Sequence, residues 1–218
     1  PTSMHHCRWD PSFYAEGWQL KPTFYLRYLQ SLISRHAPWL RLSCTEYNYQ
    51  QDFSADDVVG AVLNLDALAI YAREGVDLAA KWTGPKAGTV LEYALLHFLR
   101  NYDGHGGTIV GSQYVNVSVS TSTDQLAAHA FLSSDTTTLA ILLINKQSDK
   151  AIEASVNLTP PALAALTLDD RKLSAPVALY RLDAQHTARS KPETITPSAD
   201  HAVVPMPPVS AALLVVRM

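Results

Sequence analysis

Glu46 follows the apolar run Leu40-Arg41-Leu42-Ser43-Cys44 and stands inside the segment Thr45-Glu46-Tyr47-Asn48-Tyr49. The run reads as a short buried strand, and its end is an awkward place for a charge. An ionised carboxyl buried without partners is strongly unfavourable. Such a group is either tied into a hydrogen-bonded network or works as a nucleophile or acid/base at the mouth of its strand. On the local pattern alone the two readings are even. Tyr47 and Asn48 are neighbours able to orient a carboxylate or a sugar hydroxyl. Trp82 closes the next predicted strand, Val76–Trp82. In a barrel of alternating strands and helices both residues would share the C-terminal rim, where active sites sit. An indole beside a carboxylate can hold a pyranose ring by stacking on its apolar face, although core packing accounts for Trp82 about as well. Trp9-Asp10-Pro11 and Trp18 add a second aromatic group on an irregular segment. It either lines a cleft or caps a barrel end.

Other residues carry weaker signals. His5-His6 are adjacent and point in different directions, so no metal site is expected. Cys7 and Cys44 have no metal-ligand spacing, and Cys44 reads as a small buried hydrophobe. His105 and His129 have no partner pattern and are expected to face solvent or to be satisfied by hydrogen bonds. Asn101-Tyr102-Asp103-Gly104 reads as a helix exit, with Asp and Gly making the turn. Asn116-Val117-Ser118 fits a glycosylation sequon, a pattern short enough to arise by chance. No Gly-rich phosphate loop, Ser-centred nucleophile elbow or Cys/His zinc spacing occurs.

The elements that would position Glu46 and Trp82 follow from period and punctuation. Tyr25, Tyr28, Leu29, Leu32 and Ile33 form a helical stripe, with Pro22 in its first turn and Pro38 just beyond its end. The strand Leu40–Thr45 comes next. A helix is expected from Ser54, with Asp57 three residues on, an apolar face of Val58, Val62, Leu65 and Ala69, and Gly75 as its stop. After the strand Val76–Trp82, a third helix presents Val90, Leu91, Ala94, Leu95 and Phe98. Helix and strand in alternation indicate parallel α/β units. Two strands cannot hide their own edges and faces, so the α/β piece needs further strands.

From Asp103-Gly104-His105-Gly106-Gly107 onward the runs are short, β-branched and separated by turns. Candidate strands are Tyr114–Ser120, Ala127–Ser133, Leu139–Asn145, Ala151–Leu158, Val177–Leu182 and Ala211–Arg217, a pattern for an antiparallel β-sandwich. Ala162–Leu168 is expected to form a helical turn, and Asp183–Asp200 a polar excursion. Two domains are therefore expected, 1–105 and 106–218. The 218 residues are 47% hydrophobic and 17% charged, with a net charge of −3, which fits a folded protein. That balance offers no electrostatic footprint for nucleic acid or an anionic membrane, and no apolar run approaches the ~20 residues that span a bilayer.

In order along the chain, Trp9-Asp10-Pro11, Thr45-Glu46-Tyr47-Asn48-Tyr49, Ala72-Arg73-Glu74-Gly75-Val76, Lys81-Trp82-Thr83, Arg100-Asn101-Tyr102-Asp103-Gly104 and Ile144-Asn145-Lys146 resemble glycoside hydrolase family 44. These are endo-β-1,4-glucanases and xyloglucanases with a TIM-like barrel and a β-sandwich. The resemblance spans roughly residues 8 to 150. It implies the C-terminal part of a TIM-like (β/α)8 barrel, about strands seven and eight with their helices, followed by the sandwich. It implies Glu46 as the catalytic nucleophile and Trp82, Tyr47, Asn48 and Trp9 as substrate-binding residues. After Tyr49 the chain carries Gln50, Gln51 and Asp52 where family members tend to have a Gly-containing loop.

A retaining glycosidase uses two carboxyl groups about 5–5.5 Å apart. The family's acid/base lies in an Asn-Glu-Pro motif, and that tripeptide does not occur in this sequence. Strands one to six are therefore expected upstream of Pro1, and the chain is expected to be a C-terminal fragment lacking the N-terminal barrel half, inactive or nearly so alone. The implied partner is a β-glucan polysaccharide, and secretion follows from that substrate class. No cofactor is required, and a structural Ca²⁺ in a full-length parent stays open. Two rivals remain: another retaining glycosidase of this plan, such as an arabinofuranosidase, and a non-catalytic carbohydrate-binding or scaffold piece. Tyr114, Phe131 and Tyr180 are the only aromatics on the predicted sandwich strands, few for a sugar-stacking platform.

Overall fold

A computed structural model describes residues 22–47, 57–121, 125–157, 176–198 and 201–217. The expected alternation of helix and strand opens it. Helix α1 (Pro22–His36) starts on its proline, which needs no N–H in a first turn, and ends one residue before Ala37-Pro38. Strand β1 (Leu42–Tyr47) pairs in parallel with β2 (Val76–Lys81) across helix α2 (Val58–Arg73). Asp57 is itself the N-cap of α2: its carboxylate accepts the Val59 N–H at 2.8 Å. Ser54, expected to open this helix, lies outside the described residues. Gly75 follows with φ +75° and donates to the Ala72 carbonyl at 3.2 Å, the left-handed stop that its type allows.

Helix α2 departs from the expected single apolar face. Residues Gly60 to Ala67 are buried without interruption, so the helix is enclosed on all sides. The third helix starts as one α-turn, α3 (Val90–Glu92), and continues as a π-helix over Tyr93–Phe98. Leu99 N–H accordingly reaches the Ala94 carbonyl, five residues back, at 3.2 Å.

The C-terminal region is antiparallel, as its turn spacing predicts, with a different division of strands. Strands β3 (Gln113–Val115), β4 (Leu126–Leu132), β5 (Thr138–Asn145), β7 (Val177–Leu182), β8 (Glu193–Ile195) and β10 (Ser210–Arg217) form one sheet in the order β3-β4-β5-β10-β7-β8. Strands β6 (Ile152–Asn157) and β9 (His201–Met206) make a separate pair. The strand expected over Tyr114–Ser120 stops at Val115. The expected excursion Asp183–Asp200 contains β8, and β9 follows it unannounced, because Pro205 near its end argues against a strand. Pro205 is tolerated on this two-stranded ribbon, where a proline leaves few ladder bonds unmade. The helical turn expected at Ala162–Leu168 lies outside the described residues.

Alternation splits the six-stranded sheet into two apolar faces. Phe131, Leu142, Ile144, Tyr180, Leu182 and Leu213 join Leu65, Val62, Leu91 and Phe98 of the helices in one cluster. Leu139, Ile141, Leu143, Leu179 and Leu214 meet Ala154, Ala202, Val204 and Met206 of the β6–β9 pair in another. The long sheet thus lies between helices and a short β-layer, and the first cluster runs unbroken from β1 and α2 into the sheet.

Candidate active site

Strand β1 decides where Glu46 points. Leu42 and Cys44 lean toward the core while Ser43 and Thr45 are exposed. Unbroken alternation would carry Glu46 inward and Tyr47 outward. The register prevents this: Cys44 pairs with Ala79 and Tyr47 with Lys81, so three steps of β1 (44 to 47) stand against two of β2 (79 to 81). The extra residue is a bulge that offsets an opposite shift between Leu42 and Ser43, and the in–out alternation breaks at it. Thr45 and Glu46 are both exposed, and Tyr47 is buried.

Tyr47 is the anchor behind the bulge. Its ring meets Tyr71 of α2 edge-on at a centroid distance of 6.0 Å, and its carbonyl accepts the Trp82 N–H at 2.8 Å. That hydrogen bond ties the end of β1 to the end of β2 and places Glu46 and Trp82 at neighbouring C-terminal strand ends. Trp82 is 58% exposed, far from the core residue its type alone would suggest. Thr83, directly after it, is held at φ +60°, a conformation that a β-branched residue enters only under constraint. Lys81 places its ammonium 6.0 Å from the Tyr47 ring centroid, and burial lowers the pKa of that ammonium. The backbone carbonyl of Glu46 accepts the Cys44 thiol at 3.3 Å.

The structure therefore brings Glu46 and Trp82 to one rim and sets Tyr47 in the core behind them. Asn48 and Trp9 lie outside the described residues. Among the described residues no group of three or more His, Cys, Asp and Glu could hold a metal ion. No described helix is long and apolar enough to cross a membrane.

No family model matches the chain. Its sequence is 28% identical over 131 residues to the β-mannanase/endoglucanase A of Caldicellulosiruptor saccharolyticus, a match covering 58% of this chain and 9% of that protein. Its fold superposes on a bifunctional glucanase-xylanase from a metagenome library with a TM-score of 0.78 and 26% identity. The chain is related to the glycoside hydrolases. The glycoside hydrolase family 44 resemblance read from its motifs holds in the fold. A family 44 endoglucanase of Clostridium thermocellum gives a TM-score of 0.75 at 22% identity, and a family 44 xyloglucanase of Paenibacillus polymyxa 0.75 at 21%. The chain is covered at 99% by the glucanase-xylanase but spans 38% of it, and it spans 40% of each family 44 structure.

A second polar group in this glycoside hydrolase relative escaped sequence reasoning. Asp66 of α2 is fully buried, with Oδ1 2.9 Å from His129 Nε2 and Oδ2 2.9 Å from Lys146 Nζ. Tyr114 OH lies 3.3 Å from the other ring nitrogen of His129. Burial pushes the Asp66 carboxyl up, but the Lys146 ammonium and His129 together outweigh it and hold it at about 2. His129 is thus satisfied by hydrogen bonds and does not face solvent. Its partner lies 63 residues away on α2, and no local spacing could announce that pairing. Asn64 and Asp66, the two polar side chains in the otherwise apolar stretch Val58–Ile70, were the available signal.

Proposed function

We propose that this chain carries the nucleophile of a retaining endo-β-1,4-glucanase acting on cellulose, xyloglucan or mixed β-glucans. Glu46 attacks the anomeric carbon, the glycosidic oxygen leaves with a proton from an acid/base carboxyl, and water then releases the sugar from the glycosyl-enzyme ester. Trp82 stacks against a pyranose ring on the same rim. Tyr47 acts from behind, by fixing the bulge that turns Glu46 outward. Support comes chiefly from that bulge: it presents a carboxylate outward at a strand end, beside an exposed indole, where alternation alone would bury it. A neighbour that is a glucanase-xylanase supports the same substrate class.

The acid/base is supplied by polypeptide that completes the parallel sheet. A two-stranded parallel sheet is normally flanked and covered, yet Leu78 on β2 is 57% exposed. We read β1 and β2 with their helices as the C-terminal portion of a (β/α)8 barrel, with the antiparallel layers as its sandwich. A polymeric substrate places the enzyme outside the cell. The test combines this chain with the part of the glucanase-xylanase that has no counterpart here, as one fused polypeptide, and assays xyloglucan and carboxymethylcellulose. Hydrolysis with retained anomeric configuration is expected, falling about 10³-fold or more in Glu46→Gln. Activity within tenfold of the parent fusion after Glu46→Gln overturns the assignment.

A further inference from the structure

Trp39 is 77% exposed, the most solvent-open large hydrophobic side chain among the described residues. A tryptophan is normally well buried, and this one sits at the tip of the turn that joins α1 to β1. Leu40 N–H closes that turn on the Ala37 carbonyl at 2.9 Å. The indole borders an open cleft of about 830 Å³ between the turn, α1, the end of α2 and the start of β2. The rest of its lining is largely charged. Arg27 grips Glu74 with Nε and Nη2 at 2.7 and 3.1 Å, and Arg73 Nε takes the same carboxylate at 2.7 Å. The Glu74 side chain is only 5% exposed, and both of its oxygens are taken by these two arginines. Arg41 meets Asp77 at 3.2 Å. Three guanidiniums (Arg27, Arg41, Arg73) against two carboxylates (Glu74, Asp77) leave the cleft with one net positive charge.

We propose that this cleft is a saccharide-binding site that stacks a sugar ring on Trp39 and takes a carboxylate-bearing, uronic acid unit on its arginines. The ligand class rests on the glycan-degrading reading of the chain; the site rests on its own geometry. An open indole offers the flat apolar surface that a pyranose face matches. Guanidinium forks match a carboxylate better than any other side chain does. Arg41 is 81% exposed and Arg27 67%, so their outer N–H groups are accessible from the cleft. The site lies at the N-terminal ends of β1 and β2, one strand length, roughly 17–20 Å, from the Glu46 and Trp82 rim.

Calorimetric titration of the intact chain tests this with two xylo-oligosaccharides of equal length, one carrying a glucuronate branch and one neutral. The acidic ligand should bind about tenfold more tightly, a difference that ~1 M salt should remove. Trp39→Ala should weaken it about tenfold and Arg41→Gln about threefold. Both side chains are exposed, so neither change should alter the far-UV circular dichroism. Trp82→Ala should leave acidic binding within twofold while weakening a cello-oligosaccharide, which reads the Glu46 rim separately. The proposal is overturned by no binding of the acidic ligand, by equal affinity for the neutral one, or by an undiminished Trp39→Ala. Loss in Trp82→Ala alone also overturns it, by moving the sugar to the other rim and leaving the Glu46 reading intact.

Discussion

At the scale of single residues, Tyr47 and Trp82 divide the labour that their aromatic types could have shared. Tyr47 is 7% exposed and packed on Tyr71, whereas Trp82 is mostly open. Truncating the first should empty a core site, and truncating the second should remove little packing. Tyr47→Ala is expected to cost about 3–5 kcal/mol and Trp82→Ala under about 1 kcal/mol, both measured by urea unfolding. Equal losses would mean that the bulge is not anchored through Tyr47. Thr83 offers the opposite test. An L-residue in the left-handed region costs about 1–2 kcal/mol, and glycine returns roughly 0.5–1 kcal/mol of that as lost chain entropy. Thr83→Gly should therefore raise stability by up to about 1.5 kcal/mol, visible as a later urea midpoint with an unchanged slope.

At the scale of elements, α2 is the piece on which the rim and the antiparallel sheet both depend. Its start is set by one hydrogen bond, from Val59 N–H to Asp57. Asp57→Ala should cost about 1 kcal/mol in thermal or urea unfolding. A change below about 0.3 kcal/mol would show that packing alone fixes the helix start. Much of this element scheme was legible in the sequence: a helical period marks α1 and α2, and short apolar runs bounded by turns mark β1, β2, β4, β5, β6, β7 and β10. Local period could not show that α2 is wrapped on all sides, since burial of its polar side depends on strands far along the chain. Nor could it show the bulge: the predicted strand ends at Thr45, whereas β1 runs on through Glu46 to Tyr47, and only pairing with β2 reveals the irregular register. The short strands β8 and β9 were hidden by Pro205 and by polar neighbours, where partner strands override weak local preference.

At the scale of the whole molecule, the Asp66, His129 and Lys146 cluster ties the helical layer to the long sheet. Its chemistry sets a definite pH response. The Asp66 carboxyl titrates near 2 in the folded chain against an ordinary 3.8. A carboxyl depressed by folding stabilises above its unfolded value, and that contribution is lost as pH falls through the folded value. Urea midpoints should therefore hold from pH 6 to about 4 and fall steeply between about 4 and 2. Asp66→Asn should flatten that acid limb. At neutral pH it should also cost about 3–5 kcal/mol, because it strands a buried ammonium without its counter-charge. Acid sensitivity that persists unchanged in Asp66→Asn would assign the response to other carboxylates. Replacing the whole cluster separates specificity from stability. Burying charges is expensive even when they are paired, so Asp66→Leu/His129→Phe/Lys146→Met should regain most of the loss seen in Asp66→Asn. A triple variant as unstable as the single one would show that hydrogen-bond geometry, rather than charge balance, holds the two layers in register.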